Sequence, residues 1–247
     1  MIALLRVFSA VVFIIVIFLV GCSLCLLTPH SMNHVFNFGR CFSYMSRFFG
    51  INLMLRMPED AYHRRGQYVY IANHQNNWDM FTVSSAVTPK VVTVGKKSLI
   101  WIPLFGQLYW LSGNILINRA NRFQAIDTIE YIVNRIKRTS VSVWMFPEGT
   151  RSRGRGLLPF KNGAFYAAIF SGVPIVPIVC SSTSELKLNR WRNGYVIVEM
   201  LPPISTKGYN KESVRELVNL CHHQMRAKLA LLDEEVNTLN QLSVAKN

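Results

Sequence analysis

Acidic residues are scarce in this sequence. Its 247 residues hold 13 Asp and Glu against 27 Lys and Arg, a formal charge of +14, and no acidic residue precedes Glu59. So large a basic excess calls for a polyanionic partner: nucleic acid, an anionic membrane surface or a phosphorylated small molecule. Recognisable RNA- or DNA-reading motifs are missing, which argues against the first. Cysteine is also sparse, five in all (Cys22, Cys25, Cys41, Cys180, Cys221). Cys22 and Cys25 make a CxxC with no histidine or carboxylate nearby to complete a metal site, so no metal is expected. Nothing in this usage demands an oxidising compartment. There is no internal repeat and no long linker, and no GxSxG, so no nucleophile-elbow serine is expected.

What the chain does have is hydrophobicity, half of its residues. That allows one sizeable domain with its own core plus an appendage. From Val7 to Leu27, "VFSAVVFIIVIFLVGCSLCLL", twenty-one residues carry no charge, long enough as a helix to cross a hydrocarbon core of about 30 Å. A secretory signal would have a charged start and a shorter apolar core. "LVGC" at Leu19 to Cys22 has the look of a lipoprotein cleavage box, yet the apolar run continues beyond it. A second stretch, His34 to Leu55, is aromatic-rich and carries only Arg40 and Arg47. It reads either as a helix in the headgroup region or as a buried core helix. Positive charge beside apolar helices suits anionic lipid and favours a cytosolic domain after it. The expected division is residues 1–57 as a membrane-associated helical segment and 58–247 as an α/β domain.

After Pro58 short strands alternate with amphipathic helices. The expected strands are Gln67 to Ala72, Val91 to Val94, Asn114 to Ile117, Val141 to Phe146, Ile175 to Val179 and Tyr195 to Glu199. Between the third and fourth, Phe123, Ile126, Ile129, Val133 and Ile136 fall on one helical face, with Asn121 available as a cap. Gly172 closes a short apolar helix, and a last helix from about Glu212 to Val236 buries an apolar stripe from Val214 to Leu232. Such alternation predicts an α/β fold with a mixed, largely parallel sheet flanked by helices, behind an N-terminal membrane-embedded helical segment.

The chemistry-bearing stretches fall at strand ends. "NHQNNWD" puts His74 and Asp79 five positions apart. In an uninterrupted helix that step turns two side chains roughly 140° from each other, so a contact needs a bend, and the turn residues between them supply one. An imidazole can accept a proton near neutral pH, and a carboxylate on its other nitrogen fixes the tautomer. The same spacing also fits a histidine capping a turn and an aspartate capping a helix. "FPEGTRSRGRG" leaves a strand through a Pro–Gly turn. Its backbone N–H groups and the planar fork of Arg151 suit phosphate oxygens. Glu148, a lone acid among cations, is expected ionised and paired with Arg151. "GKKSL" and "GNILINR" each put a cation beyond a strand, and "GVPIVPI" brackets a strand entry with prolines. "WIPLFGQLYWLSG", Trp101 to Gly113, is apolar and suits either core or the membrane interface.

In order and combination, NHQNNWD, GKKSLIWIPLFGQLYWLSGNILINR, FPEGTRS and VPIVPI resemble the four motif blocks of the glycerolipid acyltransferase family, over about Phe36 to Pro203. FPEGTRS at this distance after HxxxxD is the specific part. The resemblance implies transfer of a fatty acyl group from a thioester, on coenzyme A or acyl carrier protein, to the free hydroxyl of lysophosphatidate, with no cofactor. By the same resemblance His74 is the general base and Asp79 its orienting partner. Glu148, Gly149, Thr150 and Arg151 match the acceptor-phosphate block, and Lys96 and Arg119 match further phosphate-binding positions. Where relatives often carry glutamate in the second block this chain has Ser98, so Lys97 could serve in place of Lys96. The expected location is the inner membrane, with the catalytic domain on its cytosolic face. Two alternatives remain: another lysophospholipid or glycerol 3-phosphate as acceptor, and a non-catalytic basic module that binds lipid.

Overall fold

A computed structural model of the chain describes residues 2–29, 31–64, 66–118 and 124–245. The apolar start forms one helix, α1 (Ile2–Leu27), followed by α2 (His34–Phe48). The second stretch is therefore not one helix to Leu55. It breaks at Gly50, whose φ of +71° no other residue adopts cheaply, and continues as a strand, β1 (Ile51–Arg56). Only Ile51 of "INLML" is β-branched, so it is the pairing with a parallel neighbour that holds this extended form.

Six further strands follow: β2 (Val69–Ala72), β3 (Val91–Lys96), β4 (Ile115–Ile117), β5 (Ser142–Met145), β6 (Ile175–Cys180) and β7 (Gly194–Met200). They form one sheet in the order β1-β7-β6-β2-β5-β3-β4. From β6 to β4 all neighbours are parallel, while β7 runs antiparallel to β6 and carries β1 parallel to itself. The sheet is mixed and largely parallel, as the alternating pattern predicts. Side chains alternate between its faces. Val69 and Ile71 enter the core beneath α4 (Gln124–Thr139), α5 (Gly163–Ser171) and α6 (Val214–Ala245). Tyr70 and Ala72 enter the core beneath α1, α2 and α3 (Phe105–Leu111).

Two details of the helices differ from the sequence pattern. On α4 the buried face is Ile132, Val133 and Ile136, while Ile126 is exposed; Asn121 and Phe123 lie outside the described residues. α6 runs well beyond Val236, its buried stripe including Leu217, Cys221, Met225 and Leu232 as expected. Gly172, in left-handed conformation at φ +71°, closes α5 as the sequence requires.

Candidate active site

β2 ends at Ala72, and the next side chain extends its ladder. Asn73 is buried, its amide Nδ2 donating to the Cys180 carbonyl at 2.8 Å while its Oδ1 accepts the Cys180 N–H at 2.8 Å. The side chain thus imitates one more parallel residue pair and fixes where His74 leaves the sheet. The bend follows at once. Asn76 caps a short 3₁₀ turn, Asn77–Met80, by accepting the Trp78 N–H at 2.8 Å. One carboxylate oxygen of Asp79, Oδ2, reaches back to the N–H groups of Gln75 at 2.7 Å and Asn76 at 3.2 Å.

The same oxygen lies 2.6 Å from His74 Nδ1. The contact that the base reading requires and the capping contacts are therefore both made by one carboxylate. With Nδ1–H donating to Asp79, the imidazole must carry its lone pair on Nε2, for which no described residue offers a partner. The ring stacks on Phe146 with centroids 4.1 Å apart, and about a fifth of the side chain is exposed against a twentieth for Asp79. The other oxygen of Asp79, Oδ1, is buried without a partner among the described residues.

A second loop clamps the first. Glu148 Oε1 accepts the His74 N–H at 2.6 Å and its Oε2 accepts the Leu158 N–H at 2.9 Å. The His74 carbonyl accepts the Ser152 N–H at 2.7 Å, and the Gln75 carbonyl accepts that of Arg153 at 2.9 Å. Burial pushes the Glu148 carboxyl above its ordinary range, partly opposed by the N–H donors of His74 and Leu158. The expected Glu148–Arg151 ion pair does not form. The carboxylate is buried and spent on backbone, while Arg151 projects to solvent, because the loop turns outward right after Gly149 at φ +70°. Arg155 folds back onto the Ser152 carbonyl, so it braces the loop while the Arg151 side chain stays outside.

The Acyltransferase family model matches residues 55–181, more than half of the chain and the whole of this double loop. A 1-acyl-sn-glycerol-3-phosphate acyltransferase of Escherichia coli is 54% identical over 94% of both chains. The chain belongs to the acyltransferase family. A Haemophilus influenzae protein of the same name is 48% identical, over 96% of this acyltransferase and 98% of that protein. The crystal structure of the 1-acyl-sn-glycerophosphate acyltransferase of Thermotoga maritima has the same fold, with a TM-score of 0.67 at 22% identity, covering 96% of this chain and 94% of that one.

The acyltransferase sheet also explains how distant motifs meet. His74 follows β2, the loop with Gly149, Thr150 and Arg151 follows β5, and Lys96 ends β3, all at the carboxyl ends of adjacent parallel strands. Lys96 is exposed there, two strand spacings or roughly 10 Å to the side of β2. Lys97 and Ser98 enter the next turn, both exposed. Arg119 lies outside the described residues. "GVPIVPI" enters β6, and the Pro174 carbonyl accepts the Val69 N–H at 3.0 Å, which is scaffold.

Four contributors escape a motif-by-motif reading. Phe146 gives the stacking face for His74. Gln75 donates to the Cys180 and Ser181 carbonyls at 3.1 and 2.8 Å, and Asn76 Nδ2 donates to Thr183 Oγ1 at 2.9 Å, tying the histidine loop to the end of β6. Lys161 crosses Gly149 so closely that a Cβ there would lie 2.9 Å from its Cε. All but Lys161 sit inside the quoted motifs, so only their partners were hidden. The N–H groups of Gln75, Asn76 and Trp78 are all engaged within the loop, which removes them as donors to a reacting oxyanion.

Proposed function

We propose that this chain moves a fatty acyl group from an acyl thioester to the free hydroxyl of lysophosphatidate, giving phosphatidate. The observation that carries this reading is the His74–Asp79 pair at 2.6 Å, with Nε2 open and the exposed Arg151 and Lys96 following neighbouring strands at the same edge of the sheet. The acceptor hydroxyl gives its proton to Nε2 as its oxygen attacks the thioester carbonyl. The tetrahedral intermediate then collapses, the carbon–sulfur bond breaks, and the departing thiolate takes the proton from the imidazolium. General-base catalysis of this kind contributes about 10²- to 10⁴-fold. Arg151, Lys96 and Lys161 hold the acceptor phosphate, and Arg119 keeps that role on its motif alone. Glu148, spent on backbone donors, serves by positioning His74.

The membrane-facing surface supports a lipid acceptor. The α1 guanidinium of Arg6 donates to the carbonyls of Leu188, Arg190 and Trp191, while Phe18 packs on Phe42 and Phe105, and Gly21 meets Leu108. Contacts from residue 6 to residue 21 span about 22 Å of helix, so α1 lies along the domain. Its outward face, with Leu4, Phe8, Val12, Val16 and Leu19 exposed, continues into exposed Trp101, Ile102 and Trp110. The reading is of a helix embedded in one leaflet, with substrate entering laterally.

The test is turnover of lysophosphatidate with an acyl thioester by the purified protein. His74→Ala should abolish turnover while leaving vesicle binding intact, and Arg151→Ala should raise the acceptor KM by the loss of a charge-assisted contact worth about 1.5 to 3 kcal/mol. Turnover surviving His74→Ala would end the general-base reading. An N-terminal tag reachable from the outer side of the membrane would end the one-leaflet reading.

A further inference from the structure

A second cationic site lies away from His74, where β1 and β7 begin. The depression is about 760 Å³ and is lined by Arg47, Arg190 and Arg192, with Glu185 as its one acid and Asn52 and Tyr195 in its floor. Arg47 comes from the last turn of α2, the two others from the loop between β6 and β7. Counting strands, its floor is two to three spacings, roughly 10 to 15 Å, to the side of β2. It shares no residue with the site described above.

The loop that presents these cations is held more firmly than an exposed loop requires. Buried Asn193 donates through Nδ2 to the Phe49 and Lys187 carbonyls, each at 2.8 Å, and accepts the Lys187 N–H at 2.7 Å. Its own N–H donates to the Gly50 carbonyl at 2.7 Å. Gly50 approaches so closely that a Cβ there would lie 1.9 Å from the Trp191 oxygen. From the other side, the buried Arg6 gathers three carbonyls of the same loop and stacks on Trp191 at 5.6 Å. Clamped in this way, the backbone offers Arg190 and Arg192 at fixed positions while their side chains stay exposed. Arg47 is in no ion pair among the described residues.

The surroundings choose the ligand. Trp191 is two-thirds exposed, and the start of α1 adds exposed Leu4, Leu5 and Phe8 across the Arg6 contact. Cations level with an aromatic belt and beside an apolar helix face sit at headgroup depth. We propose that Arg47, Arg190 and Arg192 bind the phosphate of an anionic phospholipid, at a site separate from the acyl-acceptor site. It rests on the one-leaflet reading of α1, which sets the depth of the arginines. A bound headgroup here holds the chain with its His74 edge toward the bilayer. It also makes residence on the membrane depend on lipid charge.

The test uses the full chain in vesicle flotation, comparing pure phosphatidylcholine with phosphatidylcholine carrying a fifth phosphatidylglycerol or phosphatidate. Binding to the anionic vesicles should be about 10- to 100-fold stronger than to neutral ones and should weaken with salt. Replacing Arg47, Arg190 and Arg192 together by Gln should remove most of that preference. Neutral-vesicle binding and turnover of a short-chain acceptor in detergent should remain. A control replacing Lys207, Lys211 and Arg215 by Gln removes the same charge elsewhere and should keep the preference. Equal losses in the two variants would reduce the effect to net charge and overturn the proposal. A raised KM for acyl-CoA in detergent with unaltered lipid preference would also overturn it, and would assign the pocket to the donor's phosphates. Failure of the wild-type chain to bind neutral vesicles would count against α1 as an embedded helix, separately from the arginine result.

Discussion

Replacing Asp79 by Asn separates the charge of this residue from its scaffolding. Asp79 Oδ2 takes three donors, His74 Nδ1 and the N–H groups of Gln75 and Asn76, while Oδ1 is buried with none. An asparagine therefore has one favourable orientation. Its oxygen must replace Oδ2, since an NH₂ there would face two backbone N–H groups, and its nitrogen falls where no partner is lost. The His74 tautomer survives, because an amide oxygen still accepts from Nδ1–H. What disappears is the attraction between carboxylate and imidazolium, which exists only after the proton has been taken. At an effective dielectric of about 20, unit charges about 4 Å apart attract by about 4 kcal/mol. A loss of roughly 3 to 4 kcal/mol lowers kcat by about 10²- to 10³-fold with KM unchanged. Steady-state release of free thiol, with lysophosphatidate varied, measures both constants. Asp79→Ala instead orphans three donors at about 1 to 3 kcal/mol each, so its Tm should fall well below that of Asp79→Asn. An Asp79→Asn enzyme within threefold of wild type would refute the electrostatic role. One as unstable as Asp79→Ala would refute the orientation argument.

Three further outcomes follow from the same geometry. Glu148→Gln leaves either the His74 or the Leu158 N–H facing an amide NH₂, so stability should drop by about 1 to 3 kcal/mol in denaturant titration and kcat should fall more than KM rises. Gly149→Ala puts a Cβ on a left-handed residue and against the Lys161 stem, costing about 1 to 2 kcal/mol and raising the acceptor KM. His222 is held below its ordinary range by burial, partly offset by contact with the Leu158 backbone. Its neutral form is favoured in the fold, so stability is full above about pH 6.5 and is lost as pH falls below that value. Replacing it by Phe, against the ring of Phe160, should flatten the Tm-against-pH curve there. An unchanged slope would place the acid-sensitive group elsewhere.

Local pattern set the strands that lead to His74 and Arg151, the Gly172 helix stop and the apolar helix at the start, because periodicity and turn chemistry act over a few residues. Family resemblance marked His74 and Asp79, and their five-residue separation demanded a bend that Asn76 supplies. β1 was hidden, because "INLML" continues an apolar helix with no break except Gly50, and only pairing with β7 decides in favour of a strand. Glu148 was misassigned to Arg151 for a similar reason: charge counting sees the nearest cation but not a buried turn whose backbone N–H groups need an acceptor. The insertion of β5 between β2 and β3, which brings Arg151 and Lys96 to the histidine's edge of the sheet, has no signature in the order of the motifs. It arises from strand pairing across more than seventy residues, settled by how the whole sheet buries its two faces. The three arginines beside Trp191 likewise meet only because a buried guanidinium and a buried amide draw their loop against the first two helices.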